Sequence, residues 1–341
     1  MSKVRIRIFA AILVLALCLS GCDFPAKKQF SVTYLDLFDT VTTITGAASN
    51  EQDFQVQAQQ IYQQLKQYHQ LFDIYQEYPG INNLKIVNDN AGVAPVVVDE
   101  QIIALLTDCK AYYELTHGAM HVAMGSVLRL WHQCRQEALE EGKQASLPEA
   151  AALQEARQHM DMNDLVLDEK NTTVYLADKD MSLDVGAVAK GWAARQVAKT
   201  LPEGFLISIG GSVYATGPKN KNTPWVIGIE APDGGAYLHT LSLSVGGVAT
   251  SGDYQRYYTV DGVNYHHIID PQTAMPTTKW RSVTVVCQDP ALADVLSTAL
   301  FVLPLEQGKD LAAKAQAEAM WLDHTGQPYY TNGFESYIIS K

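Results

Sequence analysis

Residues 248–276 read VATSGDYQRYYTVDGVNYHHIIDPQTAMP. Glycines, a Thr-Ser pair, aspartates, an arginine, tyrosines and two adjacent histidines share one short span, a mixture no plain core strand carries. Polar groups of several chemistries, interleaved with residues that permit tight turns, are what a site built on loops between strands requires. Val248-Ala249-Thr250 reads as the end of a strand, and Ser251-Gly252-Asp253 as a turn. Tyr254 to Thr259 is expected to pair with Val263 to Ile269 across an Asp261-Gly262 hairpin turn. Asp270-Pro271 then stops the second strand, since proline restricts the residue before it and donates no hydrogen bond.

Three other stretches carry a comparable density of small and polar residues. Residues 183–193, LDVGAVAKGWA, read as a strand, a small-residue turn and a helix continued by Ala193, Val197, Ala198 and Leu201. Such a turn can present backbone N–H groups to an anion, with Lys190 adding a cation, although an ordinary strand-to-helix turn has the same pattern. Residues 206–217, LISIGGSVYATG, read as a buried strand that turns at Gly210-Gly211; the glycine spacing is not that of a dinucleotide fingerprint. Residues 293–300, ADVLSTAL, are expected to form a helix after a Val283–Cys287 strand, entered through Asp289-Pro290. Asp294 and Thr298 lie four apart and so share one helix face. Taken alone they fit a capping aspartate and a back-bonding threonine.

Taken in order, the four stretches resemble the FAD:protein FMN transferases of the ApbE family, over roughly residues 34 to 340. The resemblance implies an α+β fold with mixed β-sheets flanked by helices and the flavin nucleotide site in a cleft between layers. It implies FAD as substrate, Mg2+ as cofactor, and transfer of FMN to a threonine or serine of an acceptor flavoprotein of membrane electron transport. Residue by residue, it implies that Asp184 and Lys190 contact FAD, and that Asp294, Thr298 and the carbonyl of Ala187 hold the metal. One carboxylate, one hydroxyl and one carbonyl are too sparse for calcium but suit Mg2+, which keeps waters and takes ligands from phosphates. His267, in HIIDP, is the candidate base, because imidazole titrates near neutrality; His266 alternates to the other strand face. Ile268 joins the cofactor contacts by the same resemblance.

Further upstream the match thins. Phe38-Asp39-Thr40 stands where family members carry Met-Gly-Thr. Tyr75 would touch the flavin nucleotide, though core packing explains a tyrosine there equally well. Ala119-Met120-His121-Val122-Ala123 occupies the place of a Phe-Asp-x-Thr stretch that contacts the cofactor; His121 replaces the acid, so backbone contacts could survive and a carboxylate role could not. Ala274 replaces a glycine common in the family motif.

Residues 1–21 read as a lipoprotein signal peptide: Lys3, Arg5 and Arg7 precede an apolar run from Ile8 to Leu19, which ends in Leu19-Ser20-Gly21-Cys22. Cys22 would be lipidated, residues 22–33 would form a tether, and residues 34–341 the catalytic domain, held at the extracytoplasmic face of the cell membrane. Losing Lys3, Arg5 and Arg7 with residues 1–21 takes the formal net charge from −12 to −15. An acidic chain is a poor nucleic-acid binder, so no nucleic-acid partner is expected. Cys109, Cys134 and Cys287 are spaced as neither a disulfide framework nor a zinc pattern and read as buried thiols, with a bridge between one pair open to an oxidising compartment.

Elsewhere the pattern is structural. Val32 to Thr45 alternates as a strand pair, and Glu51 to Gln70 places Phe54, Ala58, Ile61, Leu65 and Tyr68 on one helical face. Asp99 to Thr116 reads as a helix closed by His117-Gly118, and Leu165–Leu167 with Thr173–Leu176 as a hairpin. Strands are expected at Trp225 to Glu230 and Tyr237 to Val245, and a final pair around Met320–Leu322 and Ser336–Ile339. Two other functions share these features: an FAD pyrophosphatase using water as nucleophile, and a non-catalytic flavin-binding lipoprotein. Asp294, Thr298 and His267 argue against the last, since a binder needs neither a metal pair nor a base.

Overall fold

Eight strands lie side by side in the order in which the chain makes them: Lys28–Leu37, Thr40–Ala48, Phe205–Ile209, Ser212–Ala215, Gly246–Gly252, Ser282–Cys287, Glu318–Leu322 and Pro328–Tyr330. They are seen in a computed structural model that describes residues 28–140 and 143–340. Every neighbouring pair is antiparallel. Strand Ser282–Cys287 is buried at all six positions, because both faces of the sheet are covered there. Val283 and Val285 point into a cluster with Leu296, Ala299 and Leu300 of helix Pro290–Val302, and Val286 points into the opposite cluster with Ile227, Ile229 and Leu241. The second cluster belongs to a three-stranded sheet ordered Ile338–Ser340, Tyr237–Leu243, Trp225–Glu230. The layers are therefore helix, large sheet, small sheet.

Local sequence explains the helix boundaries. The side chains of Asn50, Asp99 and Asp289 accept from the N–H groups of Asp53, Gln101 and Ala291, starting helices Glu51–Phe72, Glu100–Leu115 and Pro290–Val302. Pro290 occupies the first turn of the last, where its missing N–H costs nothing. Phe54, Ala58, Ile61 and Leu65 are buried as their spacing predicts, and Leu296, Leu300 and Phe301 are fully buried, each worth about 1.5–3 kcal/mol. Between strands Thr40–Ala48 and Phe205–Ile209 the chain inserts helices Glu100–Leu115 and Gly125–Leu139 and a small sheet ordered Val96–Val97, Thr173–Leu176, Leu165–Asp168.

The α+β class with flanking helices is as expected, and several details differ. The ladders are antiparallel rather than mixed; among the described residues the one parallel pairing is the isolated Met124–Ser182 bridge. Residues 183–185 are not a strand: the main chain of Leu183 is held at both N–H and C=O by the Asn88 side chain, and the Asp184 N–H donates to Val122 O. Residues 28–33, expected in the tether, belong to the first strand, with Lys28 paired to Ala48; Cys22 and the signal segment lie outside the described residues. Strand Ile338–Ser340 pairs with Tyr237–Leu243, not with Glu318–Leu322. The hairpin across Asp261-Gly262 forms, with φ of 49° and 82° at the turn, but spans only Tyr257–Val260 and Val263–His266. Cys109, Cys134 and Cys287 are free thiols, the first and last buried.

Candidate active site

Helices Ala189–Ala198 and Pro290–Val302 cross closely enough that a Cβ on Gly191 would stand 2.2 Å from Pro290 O. This contact lets the Gly191 N–H donate to Asp294 Oδ2 at 2.8 Å, while Ser212 at the start of a sheet strand donates to Oδ1 at 2.5 Å. Asp294 is thereby 5% exposed, oriented from two sides. One turn on, Thr298 lies 3.5 Å from the Ser251 hydroxyl, which also reaches Ser297 at 2.9 Å. Lys190 donates to Gly186 O at 3.2 Å and stands 3.7 Å from Asp294 Oδ2.

These groups form one wall of a cleft of about 800 Å3 between the helices, the large sheet and the edge of the small sheet. That volume suits a ligand of cofactor size. Phe38, Tyr75, Ala119, Met120, His121, Asp184, Ala187, Lys190, His267, Ile268, Asp294 and Thr298 all line it. The chain thus brings every residue singled out between 38 and 298 to one surface. Phe38 and Asp39 make the turn between the first two strands with φ of 53° and 51°, and the Phe38 N–H donates to His69 Nδ1. Gly210 and Gly211 make the next hairpin turn beside it, also with positive φ.

The two adjacent histidines have separate chemistry. His266 is buried; its Nε2 donates to Thr277 O at 2.7 Å and its Nδ1 accepts from the Ile268 N–H, so neither nitrogen is left over. His267 faces the cleft and its Nδ1 lies 3.2 Å from Arg256 O. A carbonyl only accepts, so Nδ1 carries the proton and Nε2 keeps its lone pair. Crowding by the cleft walls and the nearby Arg256 push the His267 pKa down, although the ring itself remains wetted, so the imidazole stays neutral.

One further finding departs from the sequence-level expectation, and two side chains gain a defined setting. The N–H groups of Gly186, Val188 and Ala189 are not free for an anion, being taken by Asp184 Oδ1 and Val185 O. Tyr75 is not core: it is 53% exposed and stacks on His132 with ring centroids 5.0 Å apart. His121 contacts Tyr113 edge-on and lies largely buried, which pushes its pKa down to about 4 and leaves the imidazole neutral. Burial likewise raises the Asp184 carboxyl, opposed by the Gly186 N–H and by His132, Lys190 and Arg256.

Sequence reasoning passed over His132, Arg135 and Arg256. Leu128, Trp131, His132 and Arg135 all line the cleft, and their i, i+3, i+4, i+7 spacing on helix Gly125–Leu139 is the signal that could have found them. Among the described residues neither Arg135 nor Arg256 has a carboxylate within ion-pair distance, and the two guanidinium groups repel one another. Arg135, Arg256 and Lys190 thus offer three cations to a phosphate in a cleft whose wall also carries Asp39, Asp73, Asp184, Glu230 and Asp294. The donor set of Asp294, Thr298 and Ala187 consists of hard oxygens, and each Asp294 oxygen retains acceptor capacity beside its one hydrogen bond. These residues fit a Mg2+-type ion.

Comparison with known proteins gives the same picture. Residues 38–321 match the ApbE family. A FAD:protein FMN transferase of Treponema pallidum is 35% identical over 244 residues, 66% of each chain, and one of Escherichia coli is 27% identical over 350 residues, 97% of each. The crystal structure of an ApbE protein from Thermotoga maritima superposes with a TM-score of 0.80 at 30% identity, covering 92% of this chain and all of that one. The flavin transferase ApbE from Vibrio cholerae superposes with a TM-score of 0.77 at 25% identity, covering 91% and 99%. With more than half of its length matched and the cleft assembled from the same four stretches, the chain belongs to the ApbE family.

Proposed function

We infer that the protein transfers the FMN half of FAD to a threonine or serine hydroxyl of an acceptor protein, forming phosphoester-linked FMN and releasing AMP. The observation that carries this is His267: a neutral imidazole with Nδ1 fixed on Arg256 O and Nε2 open, in the same cleft as an oxygen-donor set and an ammonium. The acceptor hydroxyl gives its proton to His267 Nε2 as its oxygen bonds to the FMN-side phosphorus, and the bond from that phosphorus to the AMP phosphate breaks. Lys190 offsets negative charge on the diphosphate from beside Asp294, and Arg135 and Arg256 place two further cations on the cleft wall. Asp294, Thr298 and the Ala187 carbonyl would hold Mg2+, which when bound neutralises charge on the phosphates.

The acceptor is an extracytoplasmic flavoprotein of membrane electron transport, met by an enzyme tethered through lipidated Cys22. No helix among the described residues is long and apolar enough to cross a membrane.

The test is to incubate the protein lacking residues 1–22 with FAD, Mg2+ and an acceptor domain, and to weigh the acceptor by mass spectrometry. A gain of one FMN less water, lost with EDTA and with Asp294→Ala, is expected. Release of FMN and AMP with every acceptor unchanged would instead make the protein a pyrophosphatase, and FAD left intact would make it a binder.

A further inference from the structure

Strand Trp225–Glu230 is the outer strand of the small sheet, and among the described residues no strand pairs with its other side. Its ladder to Tyr237–Leu243 is regular from Trp225 to Ile229. Trp225, Ile227 and Ile229 are buried beneath it, while Val226, Gly228 and Glu230 are exposed. A six-residue edge is about 20 Å long, and open edges are normally protected by lysine, proline or a bulge. This one carries no lysine or proline within it; its register shifts only between Ile229 and Glu230, and in the regular stretch before that Val226 is 61% exposed.

The position of this edge gives it a use. Residues 227–230 line the reaction cleft together with Tyr254 and Arg256, whose carbonyl holds His267. Gly228 has no side chain, so what it presents to the cleft is main chain. A protein hydroxyl can reach a cleft site only on a segment thin enough to enter, and an extended segment is the thinnest a chain offers. Pairing along an edge fixes such a segment by main-chain hydrogen bonds, with alternate side chains turned the same way.

We propose that the acceptor docks by strand addition: an extended segment carrying the target threonine or serine pairs with the free edge of Trp225–Glu230 and delivers its hydroxyl to the cleft. This mode of docking presupposes the transferase activity proposed above. It makes the enzyme demand a locally extended acceptor, with alternate side chains around the target turned toward the cleft.

The experiment uses the protein lacking residues 1–22, FAD, Mg2+ and a library of short synthetic peptides with a single central threonine, with flavinylated members isolated by their mass gain. The best member is then resynthesised with a methyl group on one backbone nitrogen at a time. Strand addition predicts a two-residue period: methylation at alternate positions raises KM roughly three- to tenfold, and at the positions between changes it little. FAD affinity stays constant throughout. A flat scan on a modified peptide overturns the docking and leaves the transferase standing. So does a library with no modified member while a folded acceptor protein is modified, because an extended segment alone should suffice. If FAD binds and neither peptides nor proteins ever gain mass, the transferase activity itself falls, and the docking with it.

Discussion

A single proton decides the function of His267. Because Arg256 O accepts from Nδ1, the ring presents Nε2 as a base without needing to change tautomer. His267→Gln keeps a polar side chain of similar reach but removes the basic nitrogen. Loss of a positioned base costs about 10²–10⁴-fold in kcat, with FAD affinity expected within about twofold of wild type. Equal losses in binding and turnover would remove His267 from the chemistry. The pH profile provides a second check. A pKa pushed below the ordinary 6.5 keeps the neutral form populated as the solution is acidified, so the acid limb of kcat/KM should lie below that value. Activity would then persist on the acid side of neutrality and fall only as pH drops through the folded-state pKa. A limb centred above 6.5 would show that the imidazole is held charged, contrary to its surroundings.

Among the elements, the crossing of helices Ala189–Ala198 and Pro290–Val302 does most to place the site. A Cβ on Gly191 would meet Pro290 O at 2.2 Å, Pro290 C at 2.8 Å and Asp294 Cβ at 2.9 Å. Two of these atoms are main chain, so no rotamer change relieves the clash. Gly191→Ala should therefore cost roughly 1–3 kcal/mol of stability and, by parting the helices, weaken the Gly191 N–H bond that orients Asp294. Gly186→Ala, whose Cβ meets only Asp184 Oδ1 at 3.1 Å, should melt close to wild type. Denaturant midpoints for the two variants decide this; equal midpoints would mean the crossing can open freely. Glycine at 191 was legible in the sequence, but its reason was not. The partner that makes it obligatory lies about a hundred residues away (the Gly191–Asp294 bond spans 103). The false strand at 183–185 has the same origin. Leu-Asp-Val alternates as a strand does, yet its hydrogen bonds go to Asn88, 95 residues earlier. Periodicity found the helical face of Glu51–Phe72 and the Tyr257–His266 hairpin because the interactions that build them are local. It could not show which hydrogen-bonding partner a loop would find.

Across the whole molecule, the cleft is where distant parts of the chain are forced to meet. Phe38 comes from the first hairpin, His121 and Arg135 from the long insertion, Ser212 and Ser251 from the large sheet, and Asp294 from the buried helix. The order of the motifs identified the family, but the juxtaposition of Arg135 and Arg256 on the cleft wall needed three-dimensional proximity to appear. Binding in such a place should stabilise the fold globally, because unfolding any one layer removes part of the site. Ligand at about one hundred times its Kd adds about 2.7 kcal/mol, and a chain of this size gains roughly 1.5 °C per kcal/mol. FAD with Mg2+ should therefore raise a single melting transition by about 4 °C, and FAD with EDTA by less. Asp294→Asn, which keeps one acceptor oxygen for Gly191 or Ser212 but halves the carboxylate, should lose the difference between the two conditions. If FAD shifts only part of a split transition, the insertion and the sheet unfold independently and the cleft does not bind them together. If the Mg2+ increment survives in Asp294→Asn, the oxygen donors of helix Pro290–Val302 are not where the ion binds.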